Sequence, residues 1–350
     1  MEKLAAFRRE LYENPQLKFL FFELTDCCNL SCRHCGSSCS PKNATYLDKN
    51  LIYKVLGEVK AAYGTDSAMV CLTGGEPLLH PDFFEIIQRV FDLGFKWGMT
   101  TNATLIDGAA AEKIVKARMT SLSYSIDGTR EEHDFLRNSK TAYDRCIAGI
   151  TALKRYENSF VSMVTTVVHS RNIGSLDEIY AVVCSLGVDF WRLTNIDPIG
   201  NAKNSGLLLD GGGYKRLFDY IKGKRADKSS PVRVTYGCSH YLGEEYEDEL
   251  RNGYFFCGSG VYTGSVCCNG DIYGCLDVER LPSLVQGNVK EDNFVDIWER
   301  RFEVFRRNRA ELCADCAECD EREFCAGDSA HTWNFKENRP EFCIKKGGIL

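Results

Sequence analysis

The sequence has no run of about 18 apolar residues, the length a helix needs to cross a bilayer, so no membrane span is expected. Its first residues, MEKLAAFRRELYENPQLKF, lack the apolar core of a secretory signal. They are expected to form a short charged helical segment over residues 1–17 of a cytoplasmic protein. There is no excess of basic charge: the net charge is −6, which gives no reason to expect a nucleic-acid partner. No internal repeat or low-complexity tract is visible. The GGG at 211–213 follows no clear strand and forms no dinucleotide fingerprint. What the chain does have is 18 cysteines in 350 residues. In a reducing compartment these are expected to hold metal rather than disulfides.

The cysteines fall into two dense groups, five in residues 27–39 and nine in 257–343. Only Cys71, Cys146, Cys184 and Cys238 lie between them. Cys146 and Cys184 sit in helical or apolar patterns and read as packed small hydrophobes. From residue 18 to about 200, short β-rich runs alternate with amphipathic helical runs. The strands are expected at 18–24, 68–73, 96–101, 121–126, 160–168 and 188–194, each followed by a helical pattern. A further helix, YKRLFDYIKGK, follows near 214–224. That rhythm argues for an α/β fold with a parallel sheet or barrel. From about 228 the rhythm stops, and a boundary is placed there. The acidic run EEYEDEL reads as a solvated helix face. IWERRFEVFRRNR reads as a helix with Trp298, Phe302 and Phe305 in the core and its arginines solvated.

Cys28, Cys32 and Cys35 have the spacing C-x3-C-x2-C directly after the first strand. The carboxyl ends of strands are where such folds place chemistry. Three thiolates on a four-iron cluster leave one iron open for a small molecule. Other groupings exist: Cys27, Cys32 and Cys35 have plant-type ferredoxin spacing, and Cys39 could close a four-thiolate site. Further motifs follow later strands. LTGGEP carries Gly74, Gly75 and Glu76; the glycines permit close approach to a ligand, and Glu76 can accept from an ammonium group. TTNAT carries Asn102. SIDG carries Ser125 and Asp127, and REEHDFLR ends in Arg137.

In this order the motifs resemble those of the radical S-adenosylmethionine (radical SAM) enzymes, over residues 18 to about 200. The resemblance implies a partial (β/α)6 TIM-like barrel over 18–227. It implies that Cys28, Cys32 and Cys35 hold a [4Fe–4S] cluster whose open iron chelates the methionine end of SAM. It gives Gly74, Gly75 and Glu76 to the amino group, Ser125 and Arg137 to the ribose and carboxylate, and Asn102 to the neighbourhood of the nucleoside. His34 stands where the family often has an aromatic ring, and packing over the cluster is its expected job. The reaction implied is one-electron cleavage of SAM to a 5′-deoxyadenosyl radical, which takes a hydrogen atom from the substrate. An external reductant of flavodoxin or ferredoxin type is implied with it.

The second cysteine group is too large for one zinc site, although C-x2-C pairs bind zinc well. Cys257, Gly270 and Cys275, a GN…IW segment, Cys316, Cys319 and Cys325 at C-x2-C-x5-C spacing, and Cys343 resemble the SPASM extension of radical SAM enzymes. That extension, over a linker and cysteine-rich domain at 228–350, implies two auxiliary clusters, expected as [4Fe–4S]. One is expected on Cys316, Cys319, Cys325 and Cys343. The other is expected on Cys257, Cys275 and either Cys267 or Cys268. The pattern has a cysteine at position 329, where this chain has Ser329. Cys313 is the favoured substitute, and a serine-ligated or open iron is the alternative.

SPASM-bearing relatives mostly modify peptides, so the expected activity is maturation of a ribosomally made precursor peptide by crosslinking, thioether formation or epimerisation. About 20 residues precede the first strand, too few for a fused leader-binding domain, so a separate leader-peptide-binding protein is a possible partner. Alternatives are a sulfatase-maturing type, a haem-biosynthesis type acting on a tetrapyrrole, and a non-catalytic electron carrier. An epimerase needs a hydrogen-atom donor, for which Cys268, Cys238 and Cys71 are candidates. Cys27 and Cys39 have no assigned role.

Overall fold

A computed structural model describes residues 2–156, 159–251, 253 and 255–347. Seven parallel strands pair in chain order: β1 Phe19–Glu23, β2 Met69–Thr73, β3 Trp97–Thr101, β4 Ser121–Ser125, β5 Val161–Val168, β6 Phe190–Asn195 and β7 Arg233–Tyr236. The helices α1 Glu2–Glu13, α2 Lys49–Tyr63, α3 Phe83–Asp92, α4 Gly108–Lys116, α5 Arg130–Arg137, α6 Ala142–Lys154, α7 Leu176–Leu186 and α8 Gly211–Ala226 precede or separate them. The partial barrel of six βα units is present, and β7 extends it past residue 228, where the sequence rhythm stops. At the other edge a hairpin of β8 Thr263–Val266 and β9 Asp271–Tyr273 adds to β1, with Phe19 opposite Thr263 in parallel register. A short β10, Gly287–Asn288, completes one ten-stranded sheet. The cysteine-rich region therefore continues the barrel sheet through β8.

Strand residues alternate by face. Leu20, Phe22, Val70, Leu72, Leu122, Tyr124, Val164, Trp191 and Leu193 are buried in the hydrophobic core. The helices supply the other half. In α3, Phe83, Ile86, Ile87 and Val90 follow helical spacing and are all buried. Aspartates start several helices: Asp48, Asp107 and Asp210 each accept from a backbone N–H of the first turn. The GGG at 211–213 is the first turn of α8.

Two expectations about the later helices need correction. The acidic run forms α9, Glu244–Leu250, but Glu247 is fully buried and accepts from Leu242 N at 2.7 Å and Arg251 Nη1 at 2.9 Å. The helix expected over IWERRFEVFRRNR stops early, as α10, Phe294–Arg300, and Phe302 turns to a φ of 85°. Trp298, Phe302 and Phe305 are still core residues. Arg306 and Arg309 are not solvated. Arg306 donates to the carbonyls of Gly260, Arg301 and Trp298, and buried Arg309 donates to that of Asp328.

Candidate active site at the carboxyl ends of the strands

The loop after β1 has little regular structure of its own and is held by its neighbours. Gly75 N donates to Thr25 O at 2.7 Å and Glu76 N to Cys27 O at 3.0 Å. A Cβ on Gly75 would lie 2.2 Å from Cys27 O, so the glycines of GGE serve close packing against this loop. From the other side comes the segment after β6. Asn201 N donates to Cys35 O at 2.9 Å and its Nδ2 to Cys32 O at 3.0 Å. Gly200, at φ 55°, passes so near that a Cβ would sit 2.2 Å from Gly36 O. Sequence reading missed this second clamp. Its one local signal is a glycine in PIGN just past a strand.

Within the loop the thiols of Cys28, Cys32 and Cys35 each face a donor. Cys28 Sγ accepts from Leu30 N at 3.4 Å and Asn102 Nδ2 at 3.8 Å. Cys32 Sγ lies 3.8 Å from Arg137 Nη1, and Cys35 Sγ accepts from Cys39 N at 3.3 Å. The Cys39 thiol also bonds Cys35, which lowers Cys35 and raises Cys39. Cys27 turns away to the hydroxyl of Tyr46. Donors aimed at three sulfurs fit a cluster held as thiolates.

Around this loop stands a buried polar frame. Glu76 caps the short helical turn Pro77–Leu79 and accepts from Thr101 Oγ1 at 2.8 Å and Asn102 N at 2.9 Å. Burial lifts its carboxyl to about 7. Asn102 is held by Thr104, whose N–H and hydroxyl donate to its Oδ1 at 3.0 and 2.7 Å. Its Nδ2 reaches Asn29 Oδ1 at 3.0 Å. Arg137, at the end of α5, donates through Nε to Asp127 Oδ2 at 2.6 Å. Burial alone would raise Asp127, but the guanidinium holds it well below the usual carboxylate range. Asp127 Oδ1 also accepts from Val167 N at 3.1 Å, which ties the β4 end to β5. Asp127 was legible in SIDG, but its role as the partner of Arg137 was not. Ser125 closes β4, half-buried. His34 is lowered to about 3 by burial and by Arg137, so it stands neutral between Cys32 and Cys35.

Barrel-facing positions on the middle strands are hydroxyl-rich. Ser123 Oγ, Thr165 Oγ1 and Arg192 Nη2 form a chain across β4, β5 and β6 with separations of 2.9 and 3.0 Å. Arg192 has the Thr165 hydroxyl as its hydrogen-bond partner and makes no ion pair among the described residues. Cys71, on β2, is pushed up to about 12 by burial.

The C-terminal cysteines separate into three neighbourhoods. Cys316, Cys319, Cys325 and Cys343 line one cavity of about 330 Å³. Buried Cys313 bonds Cys316 on the same side. Cys267 and Cys268 occupy the β8–β9 turn, where Gly270 N donates to Cys267 O at 2.9 Å. Arg280 spans Cys267 Sγ at 2.5 Å and Glu23 Oε1 at 2.9 Å, and Cys268 N donates to Glu23 Oε2 at 3.3 Å. This pair stands at the barrel mouth beside β1, whereas Cys275 follows the far end of β9. A strand separates them, which argues against a shared cluster. Cys257 Sγ accepts from Ala330 N at 3.3 Å, and Cys238 faces His331 Nε2 at 3.7 Å. Among the described residues no three His, Cys, Asp or Glu converge as a single-ion site.

The radical SAM superfamily profile matches residues 22–183, and that of the SPASM iron–sulfur cluster-binding domain matches 257–320. The chain is 31% identical to the AdoMet-dependent heme synthase of Methanosarcina barkeri, over 95% of this chain and 97% of that one. It is 26% identical to the mycofactocin maturase MftC of Mycolicibacterium smegmatis, over 88% and 76%. Streptococcus suis SuiB bound to S-adenosylmethionine superposes with a TM-score of 0.75 at 18% identity, covering 98% of this chain and 79% of that one. Native anSMEcpe with bound AdoMet and a peptide gives a TM-score of 0.70 at 18% identity, covering 95% of each chain. The chain therefore belongs to the radical SAM superfamily, as an enzyme that uses S-adenosylmethionine with a [4Fe–4S] cluster and carries auxiliary iron–sulfur clusters in a SPASM domain.

Proposed function

We propose that this enzyme abstracts a hydrogen atom from a ribosomally made peptide and so matures it. The observation that carries the reading is the character of the barrel interior. A flat macrocycle calls for a mostly apolar pocket. Here the middle strands offer hydroxyls, Ser123, Ser125 and Thr165, with Arg192 as a cation that has no carboxylate partner among the described residues. Such a surface suits the amides and a carboxylate of a peptide. The relative named mycofactocin maturase supports a maturation activity.

In this reading Cys28, Cys32 and Cys35 hold the cluster that, with bound SAM and one electron from an external flavodoxin or ferredoxin, supplies the 5′-deoxyadenosyl radical. Glu76 accepts from the SAM ammonium group. Arg137 keeps Nη2 for the SAM carboxylate, since its Nε is on Asp127 and its Nη1 faces Cys32. Gly74 and Gly75 bring the backbone to the loop, Ser125 meets the ribose, and Asn102 positions Glu76 through its N–H. Arg192 orients the substrate, and the barrel walls exclude water from the reacting C–H bond. In this reading a separate leader-binding protein supplies recognition of the precursor's leader.

A second reading is favoured by one observation: the heme synthase relative is matched along nearly its whole length. The test is substrate-dependent formation of 5′-deoxyadenosine under anaerobic reducing conditions. One arm uses peptides encoded by short reading frames beside the gene. The other uses a tetrapyrrole bearing propionate side chains. Peptide-dependent turnover with a mass change on the peptide is the expected result. Turnover with the tetrapyrrole alone would overturn the peptide reading. Arg192→Ala should raise KM for the true substrate about tenfold or more, the loss of a charged hydrogen bond, with SAM binding unchanged.

A further inference from the structure

The cluster loop is covered on several sides. Gly75 and Glu76 pack on Cys27, and Gly200 and Asn201 pack on Gly36 and Cys35. Arg33, the residue next to Cys32, is exposed instead. It is held against the end of α5: its N donates to Leu136 O at 2.9 Å and its Nε to Phe135 O at 3.0 Å. Arg137, two residues on from Phe135, reaches back to Cys32 Sγ at 3.8 Å. The surface at Arg33 and Phe135 thus adjoins a cluster ligand through both segments of chain.

That surface is an open depression of about 700 Å³, lined by Arg33, Arg130, Phe135, Asn138 and Lys140 among others. The ring of Phe135 carries two guanidinium groups, Arg171 at 3.7 Å from its centroid and Arg33 at 4.6 Å. Stacking on one ring fixes both charges in place. The ion pairs of this neighbourhood belong to Arg130, with Asp144, and to Arg137, with Asp127. Arg33, Lys140 and Arg171 are exposed and make none among the described residues. Two carboxylates also line the depression. Asp134 is committed to Tyr143 N at 2.8 Å, and Glu131 is exposed. With Arg171 the cations outnumber them, on a chain whose net charge is −6. An acidic protein is repelled by the chain as a whole and attracted here, which steers and orients an encounter. Encounters for electron transfer are small and weak, so a few fixed charges suffice.

We propose that this depression is the docking surface for a small acidic one-electron carrier protein, which seats on Arg33, Lys140 and Arg171 beside Cys32. The reduced carrier gives one electron to the cluster and leaves oxidised, and no bond is made or broken at the interface. The inference rests on the Cys28, Cys32 and Cys35 cluster and the external reductant of the proposed function. It is independent of which substrate the enzyme takes.

The test uses the full chain, reconstituted anaerobically with iron and sulfide, and follows 5′-deoxyadenosine from SAM with three reductants. These are dithionite, an acidic flavodoxin and an acidic ferredoxin, the two proteins being reduced enzymatically. The double variant Lys140→Glu/Arg171→Glu should lower the second-order rate with a carrier about tenfold or more, the range of electrostatic steering. Its dithionite-driven rate should equal that of wild type. Lys140→Arg should keep the carrier rate. Lys228→Glu reverses a charge ahead of β7, at the opposite end of the sheet, and should leave both rates unchanged. The carrier rate of wild type should fall as salt rises, and that of the double variant should not. Iron content and melting temperature should match wild type in every variant, so a lost rate is not misfolding. Equal carrier rates in wild type and double variant would overturn the proposal. So would turnover with dithionite but with neither carrier. A dithionite-driven rate that falls with the charge reversal would place substrate or SAM here instead and would also overturn it. Absence of product with dithionite in wild type is a separate result: it would remove the cluster reading itself, and the docking surface with it.

Discussion

At the scale of single residues, Glu76 makes a sharp prediction because two demands on it conflict. Its carboxyl is raised from the ordinary 4.5 to about 7 by burial, so folding favours the neutral form. Stability from this group is complete below pH 4.5 and is lost as pH rises through about 7. Binding an ammonium group needs the opposite, ionised form. Apparent SAM affinity should therefore fall about tenfold per pH unit below pH 7, the limit for one coupled proton. Equilibrium SAM binding from pH 6 to 8 checks this. Glu76→Gln should weaken SAM binding by about 10- to 100-fold, the scale of a charged hydrogen bond. It should also raise the melting temperature of the SAM-free protein above pH 7. A variant that loses both stability and binding would show that Glu76 is only a structural cap. At the residue scale Cys39 meets Cys35 through its N–H and thiol, and Cys27 meets Tyr46. Spacing could not tell these two from ligands, because side-chain direction in an irregular loop has no sequence period.

At the scale of elements, the cluster loop depends on two glycine contacts from different strands. Gly75→Ala would drive a Cβ into Cys27 O, and Gly200→Ala would drive one into Gly36 O with a positive φ as well. Backbone atoms cannot yield as a side-chain tip can. Each substitution should cost about 2–4 kcal/mol, typical of overpacking combined with strain. Each should also lower iron retention after gel filtration more than a glycine-to-alanine change at Gly108, which meets nothing. Equal retention in all three would contradict the clamp. The strands themselves were legible: β2, β3 and β4 fall within a residue of their expected bounds, because their β-rich runs are separated by clear helical periods. The clamp was not legible, since it joins residues 36 and 200 and only the closed sheet brings them together. The early end of α10 was hidden for another reason. Phe302 and Phe305 keep the apolar spacing of a helix while the backbone leaves it at a φ of 85°.

At the scale of the molecule, one sheet carries both halves of the chemistry. The SAM motifs were readable because each lies just after its own strand, so chain order is also order around the barrel. The auxiliary thiols were only partly readable. Cys316, Cys319, Cys325 and Cys343 do share a cavity, as their local spacing implies. Cys267 and Cys275 lie at opposite ends of β9, and Cys238 reaches His331 across 93 residues. No spacing rule carries such contacts. The continuity of β8 with β1 also sets Cys267 and Cys268 beside Glu23 at the barrel mouth. The central claim is that Cys28, Cys32 and Cys35 hold a SAM-cleaving cluster in this barrel. The most direct measurement is 5′-deoxyadenosine production by the reconstituted enzyme with SAM and dithionite, beside a variant with all three cysteines changed to alanine. The account predicts product from the wild type and none from the variant, which should still retain about eight irons on its auxiliary sites. No 5′-deoxyadenosine from a fully loaded wild type under any reducing condition, or undiminished product from the variant, would contradict it.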